Sequence, residues 1–87
     1  ATLYVHPEDR GDVHVAMIEA RSDVTGSVWK IVTAIGQRVE AGDTIMLIES
    51  MKMEIPVSAE ATGVVSRFLV AEQAPVTEGQ VVALLEA

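Results

Sequence analysis

Read for alternation, the chain is a series of short apolar runs rich in Val and Ile, broken every few residues by Gly, Asp or Pro. β-Branched side chains favour extended backbone, and the breakers leave no room for a long helix. The pattern predicts strands over residues 13–19, 27–33, 44–49, 53–58, 64–71 and 81–86, with short extended pieces near Val39 and Val76. Residues 1–12 lie apart. A strand over 2–5 is possible there, followed by a polar, turn-rich stretch, so this lead is either a flexible arm or an added edge strand.

The pattern also repeats. Sliding the chain by 37 positions lays residues 18–50 on 55–87 without a gap. Ile18 then falls on Ile55, Thr25 on Thr62, Gly26 on Gly63, Val28 on Val65 and Ala34 on Ala71. Val39 falls on Val76, Gly42 on Gly79, Leu47 on Leu84 and Glu49 on Glu86. Other apolar positions substitute within class, as in Ile31/Phe68 and Ile45/Val82. Matched glycines with matched apolar spacing indicate an internal duplication. About four strands per copy, eight in all, predict an all-β flattened barrel or small sandwich with an internal two-fold pseudo-axis.

Strict alternation fails at the same place in both copies: Val28 and Ile31 are three apart, as are Val65 and Phe68. A bulge or sharp bend is expected at each. Gly42 and Gly79 read as tight turns needing positive φ. Gly26 and Gly63 each follow a Thr and open the next strand. The second copy has Gln73-Ala74-Pro75 where the first has Gly36-Gln37-Arg38. Proline fixes φ and removes a donor, so these two turns should differ. The expected core is Ile18, Val28, Ile31, Val39, Ile45, Leu47, Ile55, Val65, Phe68, Val76, Val82 and Leu84, with Leu47 and Leu84 deepest.

Composition narrows the chemistry. Eighty-seven residues suffice for one domain with a modest core. Thirteen acidic residues against six basic ones give a formal charge of −7. No basic patch interleaved with aromatics appears, which argues against nucleic-acid binding. No apolar run approaches the ~20 residues of a membrane helix, and no secretory signal is visible. There is no cysteine, in keeping with a reducing compartment, and the expected location is cytoplasmic. No nucleophile elbow, phosphate loop or zinc spacing occurs. His6 and His14, eight apart, read as surface or cross-strand residues rather than ligands, and no metal site is expected. Trp29 reads as packing at a sheet face.

The joint between the copies is the run Glu49-Ser50-Met51-Lys52-Met53-Glu54. It links two apolar strands by a few residues, which reads as a hairpin with an exposed tip. Asn, Asp, Gly or Pro is the usual composition of such a tip, and Met-Lys-Met contains none of them. Methionine offers a flexible, polarizable surface that adapts to partners. Lys52 is one of only two lysines, the other being Lys30. A lysine amine at neutral pH is overwhelmingly protonated, and a catalytic amine usually needs burial or a nearby cation. With Glu49 and Glu54 beside it, Lys52 suits an acceptor whose proton a partner enzyme removes, not a catalyst.

These residues resemble the biotinyl domain of biotin-dependent carboxylases, the biotin carboxyl carrier family. The match is Glu49-Ser50-Met51-Lys52-Met53, then Glu54-Ile55-Pro56-Val57 and Ala59, within a framework of Gly26-x-Val28, Val39-x-x-Gly42-Asp43, Gly63-x-Val65 and Val76-x-x-Gly79. It spans about residues 17–87, and the domain is expected over residues 13–87. The family motif usually has Ala where this chain has Ser50. Some members carry an extra loop in the first half that contacts biotin, and the ungapped repeat leaves no room for it here. The resemblance implies a flattened eight-stranded barrel with the acceptor lysine on an exposed hairpin. It implies covalent biotin on Lys52, attached by a biotin protein ligase, with Met51 and Met53 as flanking recognition and Glu49, Ser50 and Glu54 as motif context. It further implies a biotin carboxylase and a carboxyltransferase as partners, and a carboxyl group passed to an acyl-CoA or another acceptor. The chain would then be a carrier and not an enzyme by itself. Two other readings compete: a lipoyl-carrying domain of a 2-oxo acid dehydrogenase-type complex, and an unmodified β-domain acting in protein interaction. Lipoyl domains typically place an acidic residue before the lysine and Ala after it, so methionine on both sides favours biotin.

Overall fold

The computed structural model describes residues 3–5 and 16–87. They form nine strands: β1 (Leu3–Val5), β2 (Ala16–Arg21), β3 (Gly26–Ile31), β4 (Arg38–Val39), β5 (Thr44–Ser50), β6 (Met53–Ser58), β7 (Gly63–Phe68), β8 (Pro75–Val76) and β9 (Val81–Glu86). The duplication appears in the boundaries themselves. β6 to β9 begin 37 residues after β2 to β5, in order. The two antiparallel sheets run β1-β2-β9-β7-β4 and β6-β5-β3-β8. Shifting the second order by one copy reproduces β2-β9-β7-β4, so the two four-stranded sheets are equivalent and β1 is the only addition among the described residues. Registers repeat as well: Val28 faces Ile48 and Lys30 faces Leu47, just as Val65 faces Leu85 and Arg67 faces Leu84.

The lead thus contributes an edge strand over Leu3–Val5, paired antiparallel with β2. His6, His14 and the first part of the expected 13–19 strand lie outside the described residues. Strands β3 and β7 end at Ile31 and Phe68, short of the expected 33 and 71. Each bends away after the expected bulge, where the register shifts between Val28 and Lys30 and between Val65 and Arg67. Trp29 is the extra residue of the first bulge and is 41% exposed on the outer side of its sheet.

The core lies between the sheets and is aliphatic. Val28, Ile45, Met46, Ile48 and Val82 are fully buried, with Val39, Val65 and Leu85 nearly so. The expected depth of Leu47 and Leu84 is overturned: both are only half-buried. A register shift between Thr44 and Met46 turns Ile45 and Met46 inward together, so Ile48 follows inward and Leu47 points out. The same shift, between Ala20 and Arg21 opposite β9, places Val82, Ala83 and Leu85 inside and Leu84 outside. Ile31 and Phe68 pack against the core from half-buried positions beyond the bulges. Ile55 is also only half-buried, because its strand is a sheet edge.

The turns at Gly36 and Gln73 do not differ as expected. Gly36 N–H donates to Val65 O at 2.7 Å, and Gln73 N–H donates to Val28 O at 2.7 Å. Val65 N–H donates to Gln37 O as Val28 N–H does to Ala74 O. Gln73 adopts the left-handed φ of 75° that Gly36 holds at 89°. Pro75 is tolerated because β8 is a sheet edge, where a missing N–H need leave no partner unsatisfied.

Candidate functional site

Strands β5 and β6 form a hairpin closed by the Ser50–Met53 pair, which leaves Met51 and Lys52 as a two-residue tip. Both have positive φ, 52° and 66°. That is the arrangement whose twist matches paired strands, and it normally takes Asn or Gly. Here two side chains with Cβ atoms hold it, at a cost of about 1–2 kcal/mol per residue. Neither is β-branched, so the strain is bearable. The requirement for two left-handed residues gives no sign in the run Met-Lys-Met.

The hairpin stem is clasped from the side by β3. A Cβ placed on Gly26 would lie 2.1 Å from Glu49 O, so only glycine admits this approach. Its repeat-mate Gly63 stands against Glu86 O in the same way, at 2.8 Å. Ser50 Oγ donates to Thr25 O at 2.9 Å, and Thr25 Oγ1 accepts from Glu78 N–H at 3.0 Å. Thr25 thereby ties the stem to the turn before β9. This contact distinguishes Ser50 from the alanine usual at its position, and the sequence held no signal for it.

The six motif residues form the tip of the β5–β6 hairpin and the stem beside it. Lys52 and Met53 are exposed, Met53 at 62%, and Met51 is 93% exposed. Glu49 and Glu54 are cross-strand neighbours, both exposed. Among the described residues, none of Lys52, Glu49 and Glu54 makes an ion pair. The amine is exposed at the tip of a paired stem, open to an acylating group and linked to no other described charge. The same residues described form no cluster of three or more acidic or histidine side chains able to hold a metal.

A family model described as biotin-requiring enzyme matches residues 12–85. The chain belongs to the biotin/lipoyl attachment family. It is a biotinyl domain, carrying covalent biotin as its prosthetic group, and serves as a carrier rather than an enzyme. A homolog of the biotinylated protein TB7.3 from Mycobacterium leprae is 36% identical over 77% of this chain and 94% of its own length. The alpha3 subunit of the biotin-dependent acyl-coenzyme A carboxylase of Mycobacterium leprae is 40% identical over 67% of this chain, which spans 10% of that subunit. The crystal structure of the Kluyveromyces lactis urea carboxylase superposes with a TM-score of 0.77 at 36% identity. That match covers 98% of this chain and 7% of the carboxylase. The biotinyl domain found here is therefore similar both to a small separate protein and to one part of much longer chains.

Proposed function

We propose that Lys52 is the residue that receives biotin and that this domain carries a carboxyl group between two enzymes. The observation that carries the proposal is the amine of Lys52 at the tip of a left-handed two-residue turn, with Met51 93% exposed beside it. A biotin protein ligase would acylate the amine, recognising Met51 and Met53, while Glu49, Ser50 and Glu54 set the stem. Attached biotin supplies a ring nitrogen that takes up and releases a carboxyl group. The chain's own part is to hold the linkage outward on a stem clasped at Gly26 and tied through Ser50. Tethering raises the group's effective concentration at a biotin carboxylase and a carboxyltransferase in turn. The same reading puts the carrier in the cytoplasm, where ATP and bicarbonate are at hand.

The acceptor we propose is an acyl-CoA, as the mycobacterial relative supports. One observation favours a second acceptor, urea: the sequence likeness to a yeast urea amidolyase runs over 98% of the chain, against 67% for the acyl-coenzyme A carboxylase subunit. Two experiments test the function. Co-expression with a biotin ligase should give a streptavidin-reactive chain, and Lys52→Arg should abolish the signal although Lys30 remains. Fixation of labelled bicarbonate by the assembled carboxylase, offered acyl-CoAs or urea, decides the acceptor. Label persisting in the Lys52→Arg chain defeats the assignment.

A further inference from the structure

The sulfur atoms of this chain are unevenly placed. It has four methionines and no cysteine, so no thiol competes with the thioethers for an oxidant. Met46 is fully buried and Met17 is 7% exposed. Met51 and Met53 are 93% and 62% exposed, and they stand on either side of Lys52. Folding does not account for these two. Neither belongs to the core, and Met51 holds a left-handed φ of 52° that suits glycine or asparagine better. An oxidant must touch the lone pair of the sulfur, and close packing denies it that contact. The fold thus divides the four sulfurs into two shielded in the body and two offered beside the acceptor amine.

Peroxide chemistry at a thioether is simple. The sulfur attacks one peroxide oxygen, an S–O bond forms as the O–O bond breaks, and water leaves. The sulfur gives up two electrons, which the peroxide takes. The product is a polar, chiral sulfoxide on a side chain that was apolar and flexible. At Met46 that change would disrupt the packing between the sheets. At Met51 and Met53 it leaves the core untouched, and its cost falls on whatever covers the tip. An enzyme that acylates Lys52 must enclose the amine. The tip is only Met51 and Lys52, closed by the Ser50–Met53 pair, so such an enzyme encloses Met51 as well. A sulfoxide oxygen buried there without a donor weakens the contact about tenfold or more.

We propose, resting on Lys52 as the residue that receives biotin, that Met51 and Met53 are an oxidant-sensitive modification site. Sulfoxide at the tip closes Lys52 to the acylating enzyme, and reduction opens it again. The oxidant is a peroxide. The reductant is a thiol-dependent methionine sulfoxide reductase, which returns the thioether, releases the oxygen as water and ends with its own thiols joined as a disulfide. Exposure sets the order of reaction, Met51 before Met53. The charge on Lys52 does not change, so the effect lies in binding rather than in the reactivity of the amine. Under peroxide the carrier keeps its fold and stops being loaded.

Limited hydrogen peroxide treatment of the unbiotinylated chain, followed by a biotin ligase with ATP and biotin, tests this. Peptide mass mapping before the ligase step should find the added oxygen on Met51 and then Met53. Met17 and Met46 should react only in denaturant, and the far-UV spectrum should stay as it was. In a half-oxidised sample labelled part-way, biotin should collect on chains that kept Met51 reduced. Fully oxidised tip should show a KM about tenfold or more higher, with kcat nearly unchanged. Sulfoxide reductases for both epimers, supplied with a thiol, should restore the original rate. Biotin shared evenly between oxidised and reduced chains overturns the proposal. So does oxidation of all four methionines at one rate in the folded chain, or a slowing that the reductases do not reverse. An untreated chain that takes no biotin on Lys52 defeats that assignment and this proposal with it, a result told apart from the others because it needs no peroxide.

Discussion

Gly26→Ala is the sharpest structural perturbation near the site. The backbone of Gly26 lies outside the left-handed region, so alanine has no φ to fear, and only contact opposes it. The added methyl would sit 2.1 Å from Glu49 O, 3.1 Å from Glu49 C and 3.2 Å from Ile48 Cγ2. Bringing the first of these to ordinary contact moves β3 and β5 apart by more than about 1 Å, a strain of the kind that costs about 1–3 kcal/mol. The pair Ser27–Glu49 lies within that displaced stretch, so its hydrogen bonding weakens as well. Against this, replacing glycine restricts the unfolded chain and stabilises by about 0.4–1 kcal/mol. With the weakened hydrogen bonding added, the net loss is about 0.5–2.5 kcal/mol, or roughly 2–20 °C in melting temperature for a domain of this size. Gly63→Ala, whose methyl would lie 2.8 Å from Glu86 O, should lose less. Thermal unfolding followed by circular dichroism measures both. A Gly26→Ala chain that melts at or above wild type, or a Gly63→Ala chain that loses more, would refute the clasp as the reason for the glycine.

Three further outcomes follow from the packing and the turns. Ile48→Ala should cost about 2–5 kcal/mol, since the side chain is fully buried, while Leu47→Ala should cost clearly less; chemical denaturation of the two variants compares them directly. Gln73→Gly should stabilise by up to about 1 kcal/mol, because Gln73 holds a left-handed φ of 75° that glycine adopts freely, and an unchanged or lower denaturation midpoint would count against strain there. Ser50→Ala removes the bond to Thr25 O and should destabilise by about 0.5–1.5 kcal/mol, with faster amide exchange along 49–54 than elsewhere in the chain.

Much of the fold could be read from the chain because the duplication constrained it twice. The strands over Met53–Ser58 and Val81–Glu86 have the expected ends, and both bulges fall where alternation failed in both copies. Inside and outside were harder to tell in Ile45-Met46-Leu47-Ile48, since four apolar residues in a row carry no alternation. The register shift that turns Ile45 and Met46 inward together arises from pairing with β6 and leaves no local trace. The turn at Gln73 matches its repeat-mate despite Pro75 because β8 is a sheet edge, a placement that depends on tertiary pairing and has no local sign in the sequence. At the site, the motif and its exposure were legible. The left-handed pair Met51-Lys52, the Gly26 clasp and the Ser50–Thr25 bond were not, because each is a contact between segments distant in sequence or a backbone state its residues do not advertise.

The central claim concerns a single nitrogen, and peptide mapping of the chain purified from cells containing a biotin ligase addresses it most directly. Acylated Lys52 resists trypsin, so biotin should be found on one uncut peptide of residues 39–67, with fragment ions placing it on Lys52 and Lys30 unlabelled. Biotin on Lys30, or cleavage after an unmodified Lys52 in a chain that nevertheless binds streptavidin, would contradict the account.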